Sequence, residues 1–287
     1  MLALAASLWG GCKPGELTLD PARAAAEAPT RERLIELHNE RVARLATTHS
    51  DGVVMLSWKD DRGEHSDQGD IEFWQTTGDR TALRVSKLGE PGLWLGSNAT
   101  EWWLFDLLDK DRKTLYRGSH EHVGERLGAI GVKPLALLDL LGLTRIQEEP
   151  TELAAAPAFD PKRKAWLIET GGRGGRIRYA FDQKTLLPTH VELLDDQSQV
   201  QAESDLARWE SVAVEGVAIM ARPKMPLTIT IRRAGDDATI VVGEVKIALN
   251  QTDSIIDERL AVNLFDVEKL AKSMRPDLVE STLDGGN

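Results

Sequence analysis

LRVSKLGEPGLWLGSNATEWWLFD, running from Leu83 to Asp106, decides the fold class. It covers most of one short run, Thr81 to Leu88, and all of two more, Leu93 to Gly96 and Glu101 to Asp106, rich in residues that suit a half-buried pleated surface. Between them stand Gly89 with Pro91, then Ser97 with Asn98, residues that make tight turns. Connections this short join antiparallel neighbours, because a parallel crossover needs about a dozen residues or more. Three consecutive antiparallel strands are therefore expected, with Trp102 and Trp103 pointing to opposite faces.

The same alternation extends both ways. Upstream, Val53 to Lys59 and Asp70 to Thr77 read as strands, with Asp60, Asp61 and Gly63, then Gly78 and Asp79, as their turns. Downstream come Lys113 to Arg117 and a break, where Val132 to Leu143 (VKPLALLDLLGL) reads as a nearly all-apolar helix that must be buried. Strands resume at Lys164 to Thr170, Arg176 to Asp182, Pro188 to Leu194, Asp205 to Val214, Leu227 to Arg233 and Ala238 to Asn250.

An amphipathic helix capped by Thr30 opens the domain, with Leu34, Ile35, Leu37, Val42 and Leu45 on one side and Arg31 among the residues elsewhere. A second, Asp266 to Met274, stops before Pro276. Roughly eleven strands in one meander exceed what an open sheet carries without curling. The expected fold is mainly β with helices (α+β), a curved antiparallel half-barrel whose concave face is covered by short helices.

Composition narrows the partners. Lys and Arg number 35 against 46 Asp and Glu, a formal net charge of -11, so nucleic acid is not an expected partner and adsorption to anionic lipid is disfavoured. Membrane association is expected through an N-terminal lipid anchor. Met1 to Gly11 is uncharged, too short to span a bilayer, and ends at Cys12, the single cysteine.

Gly10 and Gly11 before Cys12 resemble the lipobox of bacterial lipoproteins, and the domain itself resembles the LolA/LolB family of lipoprotein-localisation proteins. That second resemblance rests on the initial helix, the segment Leu83 to Asp106 with its W-W-L-F strand, the apolar helix, LLPTHVELLD at Leu186 to Asp195 and the PLTITI strand at Pro226 to Ile231. It implies residues 1–12 as a signal peptide ending at the lipidated cysteine, 13–29 as a tether, 30–274 as one β-domain and 275–287 as a tail. It further implies a lipid- or lipoprotein-binding envelope protein without catalysis or cofactor, holding the acyl chain of a lipid or acylated protein in an apolar groove and facing the periplasm from the outer membrane. Trp74, Leu83, Val85, Trp94, Trp103, Phe105, Leu137, Leu138 and Leu141 are the expected groove residues. Arg80 and Arg84 both stand near the strand that carries the family's key arginine. A ligand-free interaction scaffold is the alternative.

Other constellations read as structure. Gly171 to Gly175 (GGRGG) lacks the Lys-Ser/Thr of a phosphate loop and reads as a hairpin turn. His120 and His122 offer two imidazoles but no adjacent third ligand, so no metal site is expected. Ser97 and Ser119 lack the nucleophile elbow, and Asp195 with Asp196 fits a solvated turn.

Overall fold

The computed structural model describes residues 28–45, 47–60, 63–76, 80–120, 134–147, 155–172, 175–214, 216–233, 244–253 and 263–281. Helix α1 (Arg31–Arg44) leads into strands β1 (Thr48–Asp60), β2 (Gly63–Thr76), β3 (Arg80–Lys87), β4 (Glu90–Ser97), β5 (Glu101–Asp106) and β6 (Thr114–Ser119). Helix α2 (Pro134–Leu140) separates these from β7 (Ala158–Asp160), β8 (Ala165–Gly172), β9 (Gly175–Asp182), β10 (Pro188–Leu194), β11 (Val200–Ser211), β12 (Lys224–Arg233) and β13 (Glu244–Asp253). Helix α3 (Val267–Met274) and strand β14 (Leu278–Ser281) close the described chain.

The fourteen strands among the described residues belong to one open sheet in the order β14-β6-β5-β4-β3-β2-β1-β13-β12-β11-β10-β9-β8-β7. Each half is a meander, as the short turns require, and the halves meet where β1 pairs antiparallel with β13. The mainly β half-barrel with helices on its face is the fold the turn chemistry implied. Two strands escaped the sequence: β7, three residues long, and β14, which lies in the expected tail and pairs parallel with β6. β2 also starts earlier than expected, at Gly63. Its first eight residues, GEHSDQGD, contain no apolar side chain, so hydrophobic periodicity is silent there, yet their backbone pairs with β1 without a break.

Period-two alternation divides the side chains between two cores. On the inner face, Ile71, Phe73, Leu83, Leu93, Leu95, Trp102 and Leu104 from the first half join Ile168, Tyr179, Phe181, Val191 and Ile229 from the second under α1 and α2. On the outer face of the first half, Trp74, Trp94, Trp103, Phe105 and Leu115 pack against Leu264, Phe265, Val267 and Leu270 around α3. Thr30 caps α1 by accepting a hydrogen bond from the Arg33 amide, and Asp266 caps α3 through the Lys269 amide.

The buried stripe of α1 comprises Arg31, Leu34, Ile35, His38, Arg41 and Val42. Arg31 therefore lies on the buried side, opposite to its expected placement, because its position falls one turn before Leu34 and Ile35. No helix among the described residues is long and apolar enough to cross a membrane.

Candidate functional site

The start of α1 borders a pocket of about 680 Å³. Its floor is Phe159 from β7 and Trp166 from β8, whose rings tilt at 54° with centroids 4.9 Å apart. Ala155, Ala156, Pro157, Ala28 and Pro29 extend the apolar wall. The cation at its edge is Arg31, which is buried and donates from Nη1 to the Glu169 carbonyl at 2.6 Å. Its Nη2 is buried and has no hydrogen-bond partner among the described residues. Glu32 is exposed; hydrogen bonds from its own backbone amide and from Thr30 hold its carboxyl below the usual range. An apolar wall beside one under-satisfied guanidinium suits an amphiphile with an acidic or carbonyl-bearing head.

Along the same stripe of α1, polar side chains hold the chain that leaves α2. Arg41 donates to the Gly142 carbonyl at 2.6 Å, His38 Nε2 lies 2.8 Å from the Thr144 carbonyl, and Asn39 donates to Ile146 at 2.9 Å. Across the sheet, Ser204 donates to the Leu140 carbonyl at 2.7 Å and Gln75 to that of Leu143 at 3.3 Å. These carbonyls follow a short helix and have lost water, so side chains from α1 and two strands take over their hydrogen bonding. The segment 140–147 is thereby strapped into the inner core.

The strap also explains two displaced ionisations. Burial, aided by the Arg41 charge and against the Thr144 hydrogen bond, lowers His38 to about 3. A carbonyl can only accept, so Nε2 carries the proton of the neutral ring and Nδ1 faces Arg41 Nη2 at 3.3 Å. Burial lowers Arg41 to about 10, and its guanidinium lies 5.0 Å from the Trp209 ring centroid.

The outer face of the second half is instead a ladder of charges. Glu169, Arg178, Glu192, Glu203 and Arg232 stand opposite one another across β8 to β12. Arg178 donates to Glu169 at 2.6 Å and to Glu192 at 2.6 Å, and Arg176 also pairs with Glu169. Beside this row His190 faces Asp205. Burial would raise the carboxyls of Glu169 and Asp205, but bonds from Arg178 and Arg232 hold both below the usual range.

Register disperses the expected groove. Leu83, Val85, Leu138 and Leu141 come together in the inner core, Val85 at its margin. Trp74, Trp94, Trp103 and Phe105 lie in the outer cluster, because Leu83 pairs with Leu95 and Arg84 with Trp94 across the β3–β4 hairpin. The Leu137 side chain lies outside the described residues, as does Cys12. Arg80 is on the outer face with its guanidinium 6.0 Å from the Phe265 ring. Arg84 lies between Trp74 and Trp94, 5.5 and 5.3 Å from their centroids, and pairs with Glu72.

The remaining sequence motifs are structural where described. Gly172 pairs with Gly175 at the end of the β8–β9 hairpin, and Asp195 accepts from the Gln197 and Gln199 amides. His120 Nε2 sits 2.7 Å from the Asn98 carbonyl, and His122 lies outside the described residues. Arg31, His38 and Arg41 were missed as site residues; their spacing on the apolar stripe of α1 was the signal that could have found them.

Three solved structures are similar to this chain. An outer membrane lipoprotein-sorting protein domain from Vibrio parahaemolyticus is 12% identical, with a TM-score of 0.50 over 80% of this chain and 97% of that one. A LolA superfamily protein from Nitrosomonas europaea is 11% identical, with a TM-score of 0.48 over 81% and 97%. A DUF1329 family protein from Desulfovibrio piger is 10% identical, with a TM-score of 0.48 over 82% and 98%. No family model and no curated protein sequence matches the chain. The fold is that of the lipoprotein-sorting domain, an open β half-barrel carrying helices.

Proposed function

We propose that the protein is a lipid- or lipoprotein-binding protein of the bacterial cell envelope, tethered through Cys12, that holds an acyl chain in the pocket at the start of α1. The observation that carries this reading is the pairing of an apolar wall, Phe159, Trp166 and Pro157, with the buried, under-satisfied Arg31. The volume of about 680 Å³ falls within the range of about 300–1,000 Å³ typical of small-molecule sites. Each buried methylene contributes about 0.8 kcal/mol, so even part of an acyl chain is retained, while Arg31 receives its carboxylate, ester or phosphate head. Deeper insertion, against Leu83, Val85, Leu138 and Leu141, requires α2 to leave the sheet.

The shared fold with a domain described as lipoprotein-sorting supports this reading. A second reading, a scaffold that binds a protein partner without lipid, is favoured by the packing of α1 and α2 into the inner core. Mass spectrometry of organic extracts from the purified full chain separates the two. Near-stoichiometric lipid in the wild type, lost in Phe159→Glu with the fold intact, supports the carrier. Absence of lipid from the wild type, together with failure to take up a fluorescent fatty acid, refutes it.

A further inference from the structure

We propose that His190 Nε2, Glu192 Oε1 and Glu203 Oε2 form a zinc-type divalent-cation site on the outer face of the second half of the sheet. The three residues stand on neighbouring strands β10 and β11, where Glu192 faces Glu203 and His190 faces Asp205. Nε2 is 3.2 Å from Glu192 Oε1 and 3.6 Å from Glu203 Oε2, and the three donor groups lie within 4.8 Å of one another. A tetrahedral ion with bonds of about 2.0–2.1 Å places adjacent ligand atoms about 3.3–3.4 Å apart. The two separations bracket that edge. Both are long for a charge-assisted hydrogen bond, normally about 2.7–2.9 Å.

Each donor is oriented from behind. His190 Nδ1 lies 2.8 Å from Asp205 Oδ1, which turns Nε2 toward the two carboxylates, the arrangement that aims imidazoles at metal ions; the ion displaces the Nε2 proton shared with Glu192. Arg178 holds the other oxygen of Glu192 at 2.6 Å. Arg232 reaches the other oxygen of Glu203 at 3.4 Å and Asp205 Oδ2 at 2.6 Å.

Two glutamates directly opposite on adjacent strands repel unless a cation lies between them. In this structure Arg178 and Arg232 partner the outer oxygens of the two glutamates, and Arg163 Nη2 lies 3.2 Å from His190 Nε2 and 3.5 Å from Glu192 Oε1. Arg163 sits on the half-exposed β7–β8 turn, and its Nη1 already holds Asp160 Oδ2 at 3.2 Å. The guanidinium can therefore move aside while keeping a carboxylate partner, and the ion replaces it. The adjoining cavity of about 50 Å³, bounded by Arg163, Leu167, Arg178, Ala180, His190 and Glu192, accommodates a water as fourth ligand.

The test uses the chelator-treated full chain carrying Cys12→Ser, so that no thiol competes, titrated calorimetrically with Zn²⁺ and optically with Co²⁺. One ion per chain is expected, with the intense visible bands of tetrahedral cobalt. Glu203→Gln weakens binding strongly, and Asp205→Asn, which removes a positioning residue, weakens it by about ten- to a hundred-fold while keeping the tetrahedral bands. Arg163→Ala, on the exposed turn, tightens binding. No stoichiometric ion, equal affinity in Glu203→Gln, or weaker binding in Arg163→Ala overturns the proposal. If Glu203→Gln does not fold, Arg163→Ala alone decides.

Discussion

The imidazole of His38 donates from Nε2 to the Thr144 carbonyl at 2.8 Å, joining the middle of α1 to the chain beyond α2 across 106 positions of sequence. The ring packs against Tyr179 and Phe181 of β9, with centroids 5.4 and 6.1 Å away, and Arg41 faces its other nitrogen. Burial and the facing Arg41 guanidinium, acting against the Thr144 bond, keep the ring neutral.

Stability should therefore fall in mild acid. His38 titrates at about 3 when folded, against 6.5 for a free histidine, so between those values the unfolded chain binds the extra proton. The stabilisation is complete above pH 6.5 and lost as pH drops below it. From pH 7 to pH 5 the loss due to this residue is about 2 kcal/mol. Denaturant titrations at both pH values on wild type and His38→Gln isolate it, since the other groups cancel in the difference. Equal pH dependence in the two proteins would show that His38 is not held neutral.

Arg41→Ala should loosen the strap. It leaves the Gly142 and Lys224 carbonyls without their donor and removes the guanidinium from the Trp209 face, a cost on the order of 3 kcal/mol. Hydrogen exchange should accelerate selectively over residues 141–147. A uniform change across the sheet would count against the strap as a distinct unit.

Gly96→Ala should destabilise although Gly96 lies in a regular strand. Gly96 pairs with Trp103, and a methyl group there would collide with the buried indole. Displacing that ring costs about 1–3 kcal/mol. A melting temperature equal to that of the wild type would mean that the indole has room to move.

Arg31→Met should separate head from tail at the pocket. The substitution keeps an apolar chain of similar reach and removes the cation, so affinity for a fatty acid should drop at least several-fold while that for the matching alcohol stays nearly constant. Binding assays with the two ligands read the difference directly. Parallel losses for both would assign Arg31 a purely structural role through its bond to the Glu169 carbonyl.

Much of this was legible one strand at a time. Gly89 and Asn98 mark the β3–β4–β5 turns where the structure has them, while Pro91 and Ser97, expected in those turns, pair within β4; Thr30 caps α1 as its position implied. The site was less legible. Trp94, Trp103 and Phe105 alternate correctly along their own strands, but which face meets α1 and which meets α3 follows from how Arg84 aligns with Trp94 and Gly96 with Trp103. A shift of one residue in either hairpin would have exchanged the faces.

What the sequence determined by itself is local: antiparallel neighbours from short turns, buried helices from apolar stripes, and a formal net charge of -11. Tertiary structure alone decided that β1 joins β13 to fuse two meanders, that polar GEHSDQGD is a strand, and that Arg31, His38 and Arg41 occupy the buried stripe of α1. It also brought His190, Glu192 and Glu203 together from two strands. The physical reason is that hydrogen bonding between strands and the satisfaction of buried carbonyls are settled by partners distant in sequence, which periodicity along a single segment does not record.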